Sequence, residues 1–307
     1  MPKPRRNDSG LTGLLLIDKE PGWTSHDVVA KVRGITNQRR IGHTGTLDPS
    51  ATGLLVLCLG QATRLVEYII GADKRYVGEI ALGVETTTDD GEGEVTARHD
   101  PPDMESVNLA ELEQQFTGEI EQVPPAFSAV KVEGRRSYAV ARAGGEPGLQ
   151  PRTVRVYELR LEPRPPDRLG IDVRCGSGTY VRALARDIGR AIGCGAHLAS
   201  LRRTEVGRFH VDSAITVGQL QSVANAGHLD DVIWAADEAL GTTAAAIVAD
   251  ERAKRLRGGQ PLTLSRLERR YEGLARVYSA SGAFVAVGWI TPTGQLRPEK
   301  VLNSPGS

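Results

Sequence analysis

Cysteine, aromatic side chains and net charge are all scarce in this chain. Cys58, Cys175 and Cys194 are its only cysteines in 307 residues. Their odd number and wide spacing exclude a fully paired disulfide framework and any Cys-x-x-Cys metal site. They point instead to reduced thiols in a cytoplasm. None of the six histidines stands in a His-x-x-x-His or cysteine-linked His-x-Glu arrangement, which argues against a zinc deaminase. The 38 basic residues equal the 38 acidic ones, so no overall charge advertises a nucleic-acid binder. No apolar run is long enough to span a membrane. A secretory signal is absent too, because Leu14-Leu15-Leu16-Ile17 is short and ends in Asp18-Lys19. Gly-Lys-Ser/Thr and Gly-x-Gly-x-x-Gly phosphate loops are missing, and there are no internal repeats.

What is abundant is glycine, at 35 residues, with 17 prolines. They concentrate most tellingly in Gly42-His43-Thr44-Gly45-Thr46-Leu47-Asp48-Pro49-Ser50-Ala51-Thr52-Gly53, followed by the apolar run Leu54-Leu55-Val56-Leu57-Cys58-Leu59. The run reads as a buried strand. The loop before it holds one carboxylate, Asp48, ahead of a proline that restricts the backbone. By itself such a loop is either an ordinary Asp-Pro turn or the rigid seat of a reactive group.

Charge is segregated along the chain. Between Val77 and Val130 the charges are almost all acidic, including Asp89, Asp90, Glu92 and Glu94; from Lys131 to Arg208 arginine dominates. Segregation of this kind can build a basic face on a neutral protein. Periodicity predicts a strand over Gly13–Asp18 and a helix capped by Thr24, with Asp27 in its first turn. Further helices are expected at Ala62–Ile70, Leu109–Phe116 and Val248–Leu256. Strands are expected at Lys74–Val84, Thr153–Leu161 and Leu169–Cys175. Thr86–Gly93 reads as a polar acidic turn. Gly176-Ser177-Gly178-Thr179-Tyr180-Val181-Arg182 opens a helix, with Thr179 as its expected N-cap. Strands near Leu274–Ser279, Ala283–Ile290 and Leu296–Val301, turned by glycines, form a β-rich tail.

The Gly-His-x-Gly-x-Leu-Asp-Pro-x-Ala-x-Gly stretch resembles, position by position, the catalytic loop of the TruB family, the bacterial tRNA pseudouridine-55 synthases. Lys74-Arg75-Tyr76, the proline-rich Val123–Val132, Gly178-Thr179-Tyr180-Val181-Arg182 and Leu201-Arg202-Arg203-Thr204 resemble its further motifs. The resemblance implies an α+β pseudouridine synthase fold: a mixed, largely antiparallel central sheet flanked by helices, then a small C-terminal β-rich PUA-like domain. The expected boundaries are a disordered leader over 1–10, a catalytic domain over 11–240 and an RNA-binding domain over 241–307. The region 135–148 would close on the RNA stem.

The resemblance also implies isomerisation of uridine 55 in the tRNA T-arm, with Asp48 as nucleophile on a flipped base. Tyr76 would stack on that base, Tyr180 would shape the pocket and Leu201 would pack against the base. Arg182 would hold Asp48 ionised. His43 would wedge into or stack on the RNA where the base departs, and Lys19 would support the pocket or the RNA backbone. No redox change or hydrolysis occurs in such a reaction, so neither cofactor nor metal is expected. Nor is a membrane or an obligatory protein partner, and a monomer is expected. A non-catalytic RNA-binding or tRNA-folding protein is the alternative reading. A glycoside hydrolase is a third, but it usually needs two carboxylates flanking the bond.

Overall fold

A computed structural model describes residues 9–128, 130–132, 134–145, 148–265 and 271–302. The expected leader lies outside them except for Ser9 and Gly10. The apolar runs build a nine-stranded sheet. Its strands are β1 (Gly13–Lys19), β2 (Ile41–His43), β3 (Thr52–Leu59), β4 (Lys74–Leu82), β5 (Gly118–Gln122), β6 (Arg152–Arg164), β7 (Arg168–Cys175), β8 (Ala196–Val206) and β9 (Phe209–His210). The order is β1-β3-β8-β4-β7-β6-β5, with β2 on β3 and β9 on β8. Only the β3–β8 contact is parallel, pairing Arg202 with Thr52 and Arg203 with Gly53. The sheet is therefore mixed and largely antiparallel.

β3 is apolar throughout because both of its faces are covered. Leu54, Val56 and Cys58 pack on one side with Leu14, Leu16 and Phe209. Leu55, Leu57 and Leu59 pack on the other with Val28, Val29 and Val32 of helix α1 (Ser25–Thr36). α1 starts with a reciprocal capping box between Thr24 and Asp27. Helix α2 (Val181–Ile192) lays Leu184, Ala185 and Ile188 against Ile80, Val173 and Leu198. Gly189 permits that approach: a Cβ there would lie 2.3 Å from the Cβ of Ala196.

Four local expectations change. The helix expected at Ala62–Ile70 is a 3-10 turn over Gly60–Leu65 running into an α-helix over Val66–Ile70. β4 ends at Leu82, before Val84. Thr179 does not cap α2; Tyr180 holds that position without a side-chain cap. The tail also gains a strand, Ala244–Val248, from an alanine-rich stretch whose parallel pairing with Gly273–Ser279 overrides weak local preference.

That strand heads a second, five-stranded sheet with its own core of Val248, Leu256, Val277, Val285 and Leu296. Its strands Gly273–Ser279, Phe284–Ile290 and Gln295–Val301 pair antiparallel. Val287 and Leu302 join the cluster that contains Leu14 and Val56, so the tail is packed onto the first sheet. Among the described residues no helix is long and apolar enough to cross a membrane.

Candidate active site

The Asp48 loop is pinned from three directions. The Ala51 N–H donates to the Asp48 carbonyl (3.1 Å), closing the turn around Pro49. Ser25, the first residue of α1, accepts from the Leu47 N–H (2.9 Å) and donates back to the Leu47 carbonyl (3.2 Å). Lys19 donates to the carbonyls of Glu20 (3.0 Å), Trp23 (2.8 Å) and Pro49 (3.0 Å). On the far side, Gly53 (φ +96°) lies against β8, where a Cβ would sit 2.3 Å from the Arg203 carbonyl oxygen. Only glycine fits there.

Lys19 is 1% exposed, and burial lowers its pKa despite nearby Asp48. Of its two expected places, supporting the pocket or the RNA backbone, the geometry fits the first: its ammonium is occupied by three main-chain carbonyls, so it braces the loop from inside.

Loop, sheet and helix line an open cleft with a cavity of about 280 Å³, walled by Leu47, Asp48, Lys74, Tyr76, residues 176–182, Leu201 and Arg203. It is just below the ~300 Å³ lower end of small-ligand pockets, a size suited to one planar ring rather than a chain. Tyr76 and Leu201 sit where two hydrophobic clusters meet, at the centre of the sheet. Tyr180 stands at the mouth of α2, with the Arg152 guanidinium 5.4 Å from its ring centroid.

Asp48 meets Arg182 across this cavity. Nε of Arg182 lies 3.1 Å from Oδ2, and Nη2 lies 3.4 Å from Oδ1. The rest of the guanidinium is also occupied: Nη1 by Asp90 (3.2 Å) and the Thr88 carbonyl (2.8 Å), and Nη2 by the Phe127 carbonyl (3.0 Å). The Asp48 side chain is 39% exposed, and it lines the cavity. Desolvation raises its pKa above the usual carboxylate value; Arg182 opposes this, Asp90 adds to it and Lys19 opposes it. Burial therefore outweighs the guanidinium in the free protein.

Three further groups are tuned by burial. Lys74, which donates to the Ile70 and Ala72 carbonyls (both 2.6 Å), has its pKa pushed down to about 8 by burial and then by Arg203. Tyr76 is raised by burial, with Arg203 opposing. His43 lies outside the cavity lining. It stacks edge-on against His26 at 5.5 Å, and its Nδ1 has no hydrogen-bond partner among the described residues. Burial, then His26 and Arg203, lowers its pKa, which keeps the ring neutral at pH 7.

The structure thus brings Asp48, Tyr76, Tyr180, Arg182 and Leu201 to one cavity, sets His43 beside it and places Lys19 beneath it. Three similarity findings bear on what it does. A family model described as the N-terminal domain of TruB family pseudouridylate synthase matches residues 33–181. Two C-terminal models of the same enzymes match 182–241 and 244–302. A tRNA pseudouridine synthase B of Nitrosococcus oceani is 38% identical over 307 residues, spanning 99% of each chain. The chain belongs to the TruB family of pseudouridine synthases.

Among other TruB relatives, the tRNA pseudouridine synthase B of Ruegeria pomeroyi is 41% identical over 304 residues, covering 98% of this chain and 99% of its own. A chain of an H/ACA ribonucleoprotein solved with a substrate RNA containing 2'-deoxyuridine superposes with a TM-score of 0.71 at 25% identity. The match covers 96% of this chain and 86% of that one. In this TruB protein the charge blocks seen in the sequence meet each other. Arg182 and Arg186, one turn apart on α2, pair with Asp90 (3.2 Å) and Asp89 (2.9 Å) of the acidic turn. Arg202 takes Asp18 bidentately at 3.0 and 2.8 Å. These arginines are thus committed internally and do not add to a free basic face.

Sequence reasoning missed Asp90, which looked like one carboxylate of a solvated turn, and Gln122. It quoted Arg203 without a task. Arg203 donates to the Leu54 (2.7 Å) and Gly45 (3.1 Å) carbonyls, tying the Asp48 loop to β8. The signal for Arg203 was its place in an arginine pair on an otherwise half-buried strand.

Proposed function

We propose that this protein isomerises uridine 55 in the T-arm of tRNA to pseudouridine, acting as a monomer in the cytoplasm. The observation that carries this reading is the Asp48 carboxylate, gripped by Arg182 at the wall of a ring-sized cavity. A base reaches such a cavity only by leaving the RNA stack. Tyr76 then stacks on it, Tyr180 walls it and Leu201 packs its edge. His43, on the rim, occupies the space the base leaves. Asp48 in its ionised form bonds transiently to the flipped nucleotide. The N1–C1′ bond breaks, the uracil turns, and C5 bonds to C1′; the bond to Asp48 breaks, the C5 proton is lost to the site and N1 takes up a proton, so the isomerisation is balanced and Asp48 is regenerated. Arg182 holds Asp48 ionised and aimed throughout, in two parallel contacts that a lysine lacks. Residues from 241 onward grip the RNA. Names of relatives that carry tRNA support the substrate class.

Incubation of the protein with unmodified tRNA, followed by carbodiimide labelling and primer extension, tests the reading. A single stop at position 55, lost when that uridine is replaced by cytidine, is expected. Binding without any carbodiimide adduct would overturn it in favour of an RNA-folding role.

A further inference from the structure

The N-cap of α2 is unusual. Tyr180 has no side-chain oxygen that can turn back on the helix, and its ring is committed to the cavity wall. Helix starts normally use Ser, Thr, Asp or Asn to satisfy the first amides. No side chain does so here; instead Gln122, the last residue of β5, holds the N-cap residue itself. Its Oε1 accepts from the Tyr180 N–H at 2.8 Å, and its Nε2 donates to the Tyr180 carbonyl at 3.1 Å. That carbonyl also accepts the first helical bond, from the Leu184 N–H at 3.1 Å.

One side-chain amide thus grips both backbone groups of a single residue, as a neighbouring strand would. Gln122 is 1% exposed, so its amide is shielded from bulk solvent. The residue registered opposite it on β6 is Arg152, whose guanidinium sits over the Tyr180 ring at 5.4 Å. A cross-strand pair therefore holds Tyr180 twice, by its backbone and by its ring. Gly178, two residues before Tyr180, takes a left-handed φ of +93° that brings the chain into α2.

We propose that Gln122 is a positioning residue for pseudouridine formation: its amide, with Arg152 behind it, sets the start of α2 and thereby aims Tyr180 and Arg182 at the cavity. Arg182 is two residues beyond the clamp, and its Nε must meet Asp48 at 3.1 Å. Gln122 touches no reacting atom. Its effect is transmitted through geometry, where a displacement of about 1 Å can cost about a hundredfold in rate. The inference rests on Asp48 being the reacting carboxylate.

The test pairs Gln122→Met, which keeps the length and loses both hydrogen bonds, with Gln122→Glu, which keeps the acceptor and loses the donor. Single-turnover pseudouridylation at saturating tRNA, tRNA Kd and the pH dependence of the rate are measured for each. The Met variant should fall by about a hundredfold in rate, with Kd within about twofold. Its acid limb should move to higher pH, because a displaced Arg182 no longer supports the Asp48 charge. The Glu variant should fall less in rate, and it carries the same test if the Met variant does not fold. Rates within about threefold of the parent in both variants would overturn the inference. So would a loss of tRNA affinity that accounts for the defect, or an unmoved acid limb in a slowed Met variant. Asp48→Asn run alongside separates the two layers. If it stays active, the reading of Asp48 fails. If it is dead while the Gln122 variants are normal, only the clamp fails.

Discussion

Asp48 and Arg182 are 134 residues apart in the chain, yet the guanidinium faces both carboxylate oxygens, at 3.1 and 3.4 Å. Asp90 and the carbonyls of Thr88 and Phe127 fill the rest of its donor fork. Arg182 is thus a hub that fixes the Asp48 carboxylate relative to two loops and a helix.

Replacing Asp48 with Asn should abolish turnover by at least about a thousandfold, as loss of a nucleophile does, while tRNA affinity stays within about twofold. Quenched-flow turnover and filter binding check this pair of values. The same variant should melt at or above the parent's temperature at neutral pH. Burial raises the carboxyl's pKa, so between the unfolded and folded pKa values the native state binds more protons. Across that window stability falls as pH rises, and a neutral amide removes the penalty. A melting point several degrees lower would contradict it.

Changing Arg182 to Lys should lower the single-turnover rate by about a hundredfold although the charge remains. A lysine ammonium is a point charge that cannot span Asp48, Asp90 and two carbonyls at once. Turnover near the parent's level would show that charge alone suffices.

The rate should fall on the acid side at a pH above the ordinary aspartate value of about 3.9, because Asp48 must be ionised and burial raises its pKa. Asp90 contributes to that rise, so Asp90→Asn should move the acid limb to lower pH even as the plateau rate drops with loss of an Arg182 partner. A pH–rate profile of the two proteins reads the sign directly.

Lys19→Met should leave tRNA affinity unchanged and lower stability by about 1–3 kcal/mol, the cost of leaving buried carbonyls without a donor. Thermal unfolding should register this as a drop of several degrees. Weakened tRNA binding with unchanged stability would return Lys19 to the RNA surface.

Much of this protein was already decided by its sequence. The unbroken apolar run from Leu54 to Leu59 demands a strand covered on both faces, and it has one. Thr24 and Asp27 specify the start of α1 through bonds made within one turn. The glycines and Pro49 around Asp48 require a tight loop at that point. All of these are effects of near neighbours, which is why periodicity and spacing expose them. Tertiary structure decided the rest. That Asp90 reaches from its turn to share Arg182, that Lys19 is spent on carbonyls beneath the loop, and that Gln122 holds the backbone of Tyr180 at the start of α2 depend on strand order and register. The same holds for the charge blocks, which meet where Arg182 and Arg186 of α2 pair with Asp90 and Asp89. A side chain's partner is set by which distant backbone lies within about 3 Å of it, and that distance exists only in the folded chain.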